Sequence, residues 1–204
     1  PFNKKSIAVE IFGNTHQAEQ CLKNPKNRMG WIFKQITNFY HMRVIPGLSS
    51  NVLVIDCDTI FLRPIEFIDK KTLGGLYCPG TENHIPYFEH GKRIIPEFKK
   101  IFPQYSGISH HMLFQKTILD DMLNTIEKHG SAECWKVFCR AIDLAHVWGS
   151  PSADYELYFN FAFERTNQVK LRSLKWKNTS DINTKKYYQR GFDFYSCHHY
   201  MREG

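Results

Sequence analysis

Apolar and polar positions along this chain alternate between two periods, and each switch marks an expected element. Ser6–Phe12, SIAVEIF, reads as a short strand. Met29, Ile32, Phe33, Ile36 and Tyr40 then recur at helical spacing, and Asn27 stands where a helix cap belongs. Val52–Ile55 is an unbroken apolar run, the pattern of a strand buried on both faces in a parallel sheet. Gly74–Gly80, GGLYCPG, gives another short strand. The proline-punctuated stretch Thr81–Tyr105, with His84 and His90, reads as a long surface loop, suited to a lid or a substrate-binding wall.

The second half continues the alternation. Ser106–Phe114 predicts a turn into a strand, Thr117–His129 an amphipathic helix closed by Gly130, and Glu133–Leu144 a further helix. Ser150-Pro151 is a cap-and-first-turn pair, so ADYELYFNFAF begins a helix with Asp154 and Glu156 near its amino end. VKLRSLKW and FDFYSCHHY read as later strands. The sum is an α/β chain in which helices flank a mixed, mainly parallel central sheet.

With 204 residues, 42% of them hydrophobic, residues 1–204 can bury one core and read as a single domain. The chain opens on Pro1, which leaves room for a longer protein with additional domains. No apolar run reaches the roughly eighteen residues of a membrane span, so the expected setting is cytoplasmic. The net charge of +7 asks for an anionic partner. Its basic residues form only doublets such as Lys4-Lys5 and Lys99-Lys100, which favours a sugar nucleotide or an acidic surface over nucleic acid. The six cysteines contain no C-x-x-C pair and read as reduced core residues.

The chemistry concentrates where the Val52–Ile55 run ends, in Asp56 and Asp58. Residues i and i+2 of an extended segment point the same way, and the carboxyl end of a sheet strand is where α/β proteins bind ligands. Paired carboxylates there suit a hard divalent cation holding a phosphate. Two strand-end aspartates can also simply cap a turn.

These residues, in order with others, resemble a known family. The Arg28/Lys34 helix, VLVIDCDTIFLRP, the SGIS turn, SADYELYFN and a terminal histidine-bearing strand are similar to nucleotide-sugar glycosyltransferases of the GT-A (Rossmann-like) fold, closest to small bacterial and viral ones. The resemblance implies transfer of a hexose or deoxyhexose from a UDP-sugar donor to a glycan or other hydroxyl acceptor. It implies Mn2+, or Mg2+, held by Asp56, Asp58 and His198, with Arg202 on the diphosphate. Asp56, Gly107, Ser109, Arg28 and Lys34 are the further donor-site candidates, and His110 and His111 can add hydrogen bonds. Asp154 and Glu156 are the acids placed beside the reacting sugar, unless they only favour the helix dipole. Trp31, Tyr87, Trp148 and Tyr155 are the aromatics available to stack on an acceptor sugar. Retention or inversion stays open.

VIDCDTI also fits a phosphatase of the haloacid-dehalogenase type, with Asp56 as nucleophile and Asp58 as acid/base. That scheme needs a later lysine and an acidic pair at strand ends, whereas Asp120-Asp121 falls inside the Thr117–His129 helix. A third reading is a sugar-nucleotide-binding module without turnover.

Overall fold

The computed structural model describes residues 2–198 and 201, so Arg202 and the neighbouring His199 lie outside the described residues. The class is mixed α/β. Among the described residues, however, the strands are short and do not form a mainly parallel central sheet.

The chain starts in three helices: α1 (Lys4–Phe12), α2 (Thr15–Lys23) and α3 (Met29–Val44). The strand expected over Ser6–Phe12 is therefore helical. Its apolar residues suit either period, and local hydrogen bonding decides. Asn3 and Ser6 form a reciprocal capping box at 2.9 and 2.8 Å, while Gly13 closes the helix at φ 62°. Ile7, Ala8 and Ile11 then share one buried face. The α3 periodicity is as expected, but Arg28 rather than Asn27 takes the cap position, without a side-chain bond; Asn27, one residue earlier, accepts from the Met29 N–H through Oδ1 at 3.1 Å.

Strand β1 (Asn51–Ile55) leads into β2 (Thr59–Phe61), and β3 (Leu76–Tyr77) follows. β1 is only half-buried, with Ile55 exposed, because it pairs antiparallel with a single partner, β4 (His111–Gln115). The run of apolar residues was expected in a parallel sheet; periodicity cannot report strand direction. The Thr81–Tyr105 stretch contains a helix, α4 (Ile85–Ile94), with Pro86 in its first turn, where the missing N–H costs nothing. α5 (Lys116–Gly130) and the short α6 (Cys134–Arg140) come next, then α7 (Asp154–Arg165). Ser150 and Pro151 precede α7 by several residues and do not cap it; Ala153 takes the cap position, without a side-chain bond.

β5 (Lys170–Leu171) pairs parallel with β3. β6 (Trp176–Asn178), α8 (Thr184–Gln189) and β7 (Phe194–Ser196) close the described chain, with β7 between β2 (antiparallel) and β6 (parallel). The main core lies where α3, α5 and α7 pack together and α7 meets β4; Ile32, Ile36, Phe39, Phe114, Tyr158 and Phe159 fill it. Of the six cysteines, five are buried and Cys57 is exposed. Among the described residues no helix is long and apolar enough to cross a membrane.

Two buried histidines make the fold acid-sensitive. Burial, opposed by a bond to the Phe138 carbonyl, holds His90 at about 4, and burial likewise holds His111 at about 4. Both values lie below the ordinary 6.5, so the unfolded chain binds more protons between them. Their contribution is complete above pH 6.5 and is lost as pH falls toward 4. We expect urea-denaturation stability to drop across that window by up to roughly 1.4 kcal/mol per pH unit for each histidine. His90→Asn should flatten the slope; an unchanged slope would remove His90 from the account.

Candidate active site

Main-chain pairing assembles the site before any side chain contributes. The Asp56 N–H donates to the His110 carbonyl at 2.9 Å, extending the β1–β4 pairing by one residue. The Cys197 N–H donates to the Asp58 carbonyl at 2.9 Å, so the end of β7 lies against the second aspartate. The expected Asp-x-Asp thus meets two segments distant in sequence, one bringing His110 and the other His198.

Asp58 Oδ2 lies 2.7 Å from His198 Nδ1, while its Oδ1 is buried without a hydrogen-bond partner among the described residues. Asp56 Oδ1 accepts from Lys34 Nζ at 2.9 Å and from the Tyr155 hydroxyl at 3.2 Å; its Oδ2 sits 3.7 Å from His110 Nδ1. Burial opposes the charge on Asp56, but His110 and the Lys34 ammonium outweigh it and bring the carboxyl down to about 2. Lys34 sits 4.6 Å above the Tyr155 ring. Burial works against the ammonium too, yet the charges of Asp154 and Asp56 raise its pKa.

Asp154 is the first residue of α7 and is 4% exposed. Its Oδ2 accepts from Asn38 Nδ2 at 2.6 Å, one helical turn beyond Lys34 on the same face of α3. Burial raises the Asp154 pKa, with Lys34 and Asn38 pulling the other way. Tyr155 is pushed up by burial and by the charges of Asp56 and Asp154. His110 takes φ 62°, packs its ring edge-on to Trp176 at 5.1 Å and lies 4.8 Å from the His198 ring. Trp176 in turn stacks on Phe194.

The structure therefore brings Lys34, Asp56, Asp58, Asp154 and His198 into one neighbourhood. Other candidates have different settings. Arg28 donates from Nε to the Gly149 carbonyl at 2.9 Å and stacks on Trp31, so it ties α3 to the loop before α7. Glu156 is buried and turned toward Ser106, Gly107 and Asn160. Ser109 is buried with its hydroxyl on the His111 carbonyl at 3.3 Å. Gly107 lies against α7, where an added Cβ would sit 2.4 Å from Phe159 Cβ and 2.7 Å from the Tyr155 carbonyl oxygen. Of the aromatics, Trp148 is half-exposed, whereas Tyr87 and Tyr155 are buried.

Asn38 and Trp176 were not anticipated. Asn38 is legible afterwards as the residue four beyond Lys34, while Trp176 carries no sequence signal for the site. Among the described residues no group of three or more His, Cys, Asp and Glu side chains is arranged as a metal shell. The side-chain types gathered here, two carboxylates and an imidazole with an Asp58 oxygen that has no partner among the described residues, are those that divalent cations take as ligands. No family model matches this sequence, and no curated protein matches it.

Two outcomes check the geometry. Lys34→Met should raise the Asp56 pKa, read by carboxyl-carbon NMR titration; an unmoved value would show that the ion pair does not form in solution. Gly107→Ala should destabilise the protein by about 1–3 kcal/mol in chemical denaturation, because the methyl meets backbone and a Cβ rather than a flexible tip.

Proposed function

We propose that this protein is a metal-dependent glycosyltransferase of the GT-A type, moving a hexose or deoxyhexose from a UDP-sugar to a hydroxyl of a glycan or other acceptor. The observation that carries the reading is the pair Asp56 and Asp58 at one strand end, with Lys34 on the first and His198 on the second. Such a cluster gives each carboxylate a hydrogen-bonding side chain and leaves Asp58 Oδ1 without a partner among the described residues. Asp56, Asp58 and His198 would hold Mn2+ or Mg2+. A bound cation supplies Lewis-acid stabilisation of the departing nucleoside diphosphate.

The chain's own groups then divide the remaining work. Lys34 adds a positive charge beside the carboxylates that would hold the metal. Arg202 is the second basic candidate. Asp154 stands behind Lys34 at the start of α7, held by Asn38, with burial making its carboxyl readier to take a proton. It is the acid we place nearest the reacting sugar, as base for an acceptor hydroxyl or as a stabiliser of positive charge on the sugar. Glu156, spent on Ser106, Gly107 and Asn160, is not assigned that role.

Thermal melts with Mn2+, with UDP and with both should show the largest upward shift for the pair together. An equal shift by UDP in EDTA would overturn the metal bridge, and Asp58→Asn should abolish the Mn2+-dependent part. Radiolabelled UDP- and GDP-sugars tested with and without Mn2+, beside a phosphatase substrate, separate transfer from phosphate release and from binding without turnover. Asp154→Asn should lower kcat by about a hundredfold or more with UDP affinity nearly unchanged; near wild-type turnover would remove it from the chemistry.

A further inference from the structure

Glu156 is a carboxylate with an unusual position: 1% exposed, inside the first two turns of α7, and without a cationic partner in its hydrogen-bond set. A buried acid is costly unless every lone pair is used. One oxygen is used on a short turn and the other on α7 itself. Oε2 accepts from the Ser106 hydroxyl and from the Gly107 N–H at 3.3 Å, and Oε1 accepts from Asn160 Nδ2 at 2.7 Å. Asn160 Oδ1 accepts in turn from the Ile101 N–H at 2.8 Å, which ties the approach to the turn as well.

The Ser106 hydroxyl oxygen also accepts from the Ile108 N–H at 3.1 Å. Glu156 therefore collects, directly or through Ser106, the backbone donors of Gly107 and Ile108. Two residues further on stands His110, a non-glycine residue at φ 62°, a left-handed conformation that L side chains enter at a cost. That conformation directs its imidazole to Asp56, His198 and Trp176. Residues held in sparsely populated backbone regions persist only where the surroundings over-determine them. Here the over-determination comes from two sides: the Asp56 N–H on the His110 carbonyl, and the Glu156 clamp on residues 106–108.

We propose that Glu156 is a positioning residue: by clamping the Ser106–Ile108 turn to α7, it holds the His110 imidazole between the Asp56 carboxylate and the His198 ring. The tolerance is small, since Gly107 has no room for a Cβ against Phe159 and Tyr155. A glutamine at 156 keeps the volume but replaces one acceptor oxygen with a donor. Ser106 and Gly107 then compete with Asn160 for a single oxygen, and the relay to Ile108 loses its end point. What His110 faces has functional meaning only on the transferase reading, but its position is measurable without turnover.

The test is Glu156→Gln with histidine side chains isotope-labelled, compared with wild type by NMR in the absence of any ligand. Cross-relaxation between the His110 and Trp176 rings should be lost, while the contacts of His90 with Phe138 persist and report an intact core. Unchanged His110–Trp176 contacts, whatever the change in melting temperature, would overturn the proposal. If Glu156→Gln does not fold, Ser106→Ala, which deletes only the hydroxyl of the relay, takes its place under the same criterion. A second arm measures turnover of the best UDP-sugar: kcat should fall about tenfold with donor KM changed less than about twofold, as a displaced group in the site requires. Unchanged kcat with His110 displaced would overturn the positioning role. Lost ring contacts in a protein whose wild type turns over no sugar nucleotide would support the clamp and count against the transferase reading instead.

Discussion

The antiparallel register of β1 with β4 is the constraint from which the rest of the site follows. Val54 opposite Met112 and Ile55 opposite His111 put Asp56 opposite His110. A slip of one residue would reverse every side chain on the strand and send the aspartates away from α3 and α7. Lys34, Tyr155 and Asp154 converge on Asp56 from two helices whose own packing holds them to within a side chain's reach. The polar cluster is thus a by-product of apolar packing, with the charges placed at the edge of the core.

That cluster is also electrostatically economical. Two carboxylates near one another in a partly buried setting repel, and here each has its own compensation: an ammonium and a phenol hydroxyl on Asp56, an imidazole on Asp58. Asp154 acts from behind: its charge and that of Asp56 both favour the protonated Lys34. Asp56 Oδ1 already accepts twice, from Lys34 and from Tyr155.

Some of this was written plainly in the sequence. The α3 periodicity, the strand before the aspartates and the turn at Gly107 were all legible because each rests on local pattern. What failed was anything that local pattern leaves degenerate. SIAVEIF satisfies a strand or one face of a helix, and only the Asn3–Ser6 capping box and Gly13 settle it as a helix. The α4 segment was hidden by its prolines, although Pro86 in a first turn is compatible with a helix. Strand direction is not encoded in hydrophobicity at all, so NVLVI could not announce its antiparallel partner. At the site, Asp56 and Asp58 were visible as a motif. Trp176 was not, because its role arises from a parallel pairing with β7 across most of the final segment. Glu156 was visible as an acid but not as a buried one.

Cys57 sits between the two aspartates and is the exposed one of the six cysteines, the others being buried. Burial and raised pKa values make Cys21, Cys78, Cys134 and Cys139 poor nucleophiles toward external reagents. Nature has therefore left a single addressable sulfur in the middle of the carboxylate pair. A fluorophore or spin label attached there needs no engineered cysteine and would sit within a residue of both acids, turning the wild-type chain into its own reporter of whatever binds beside them.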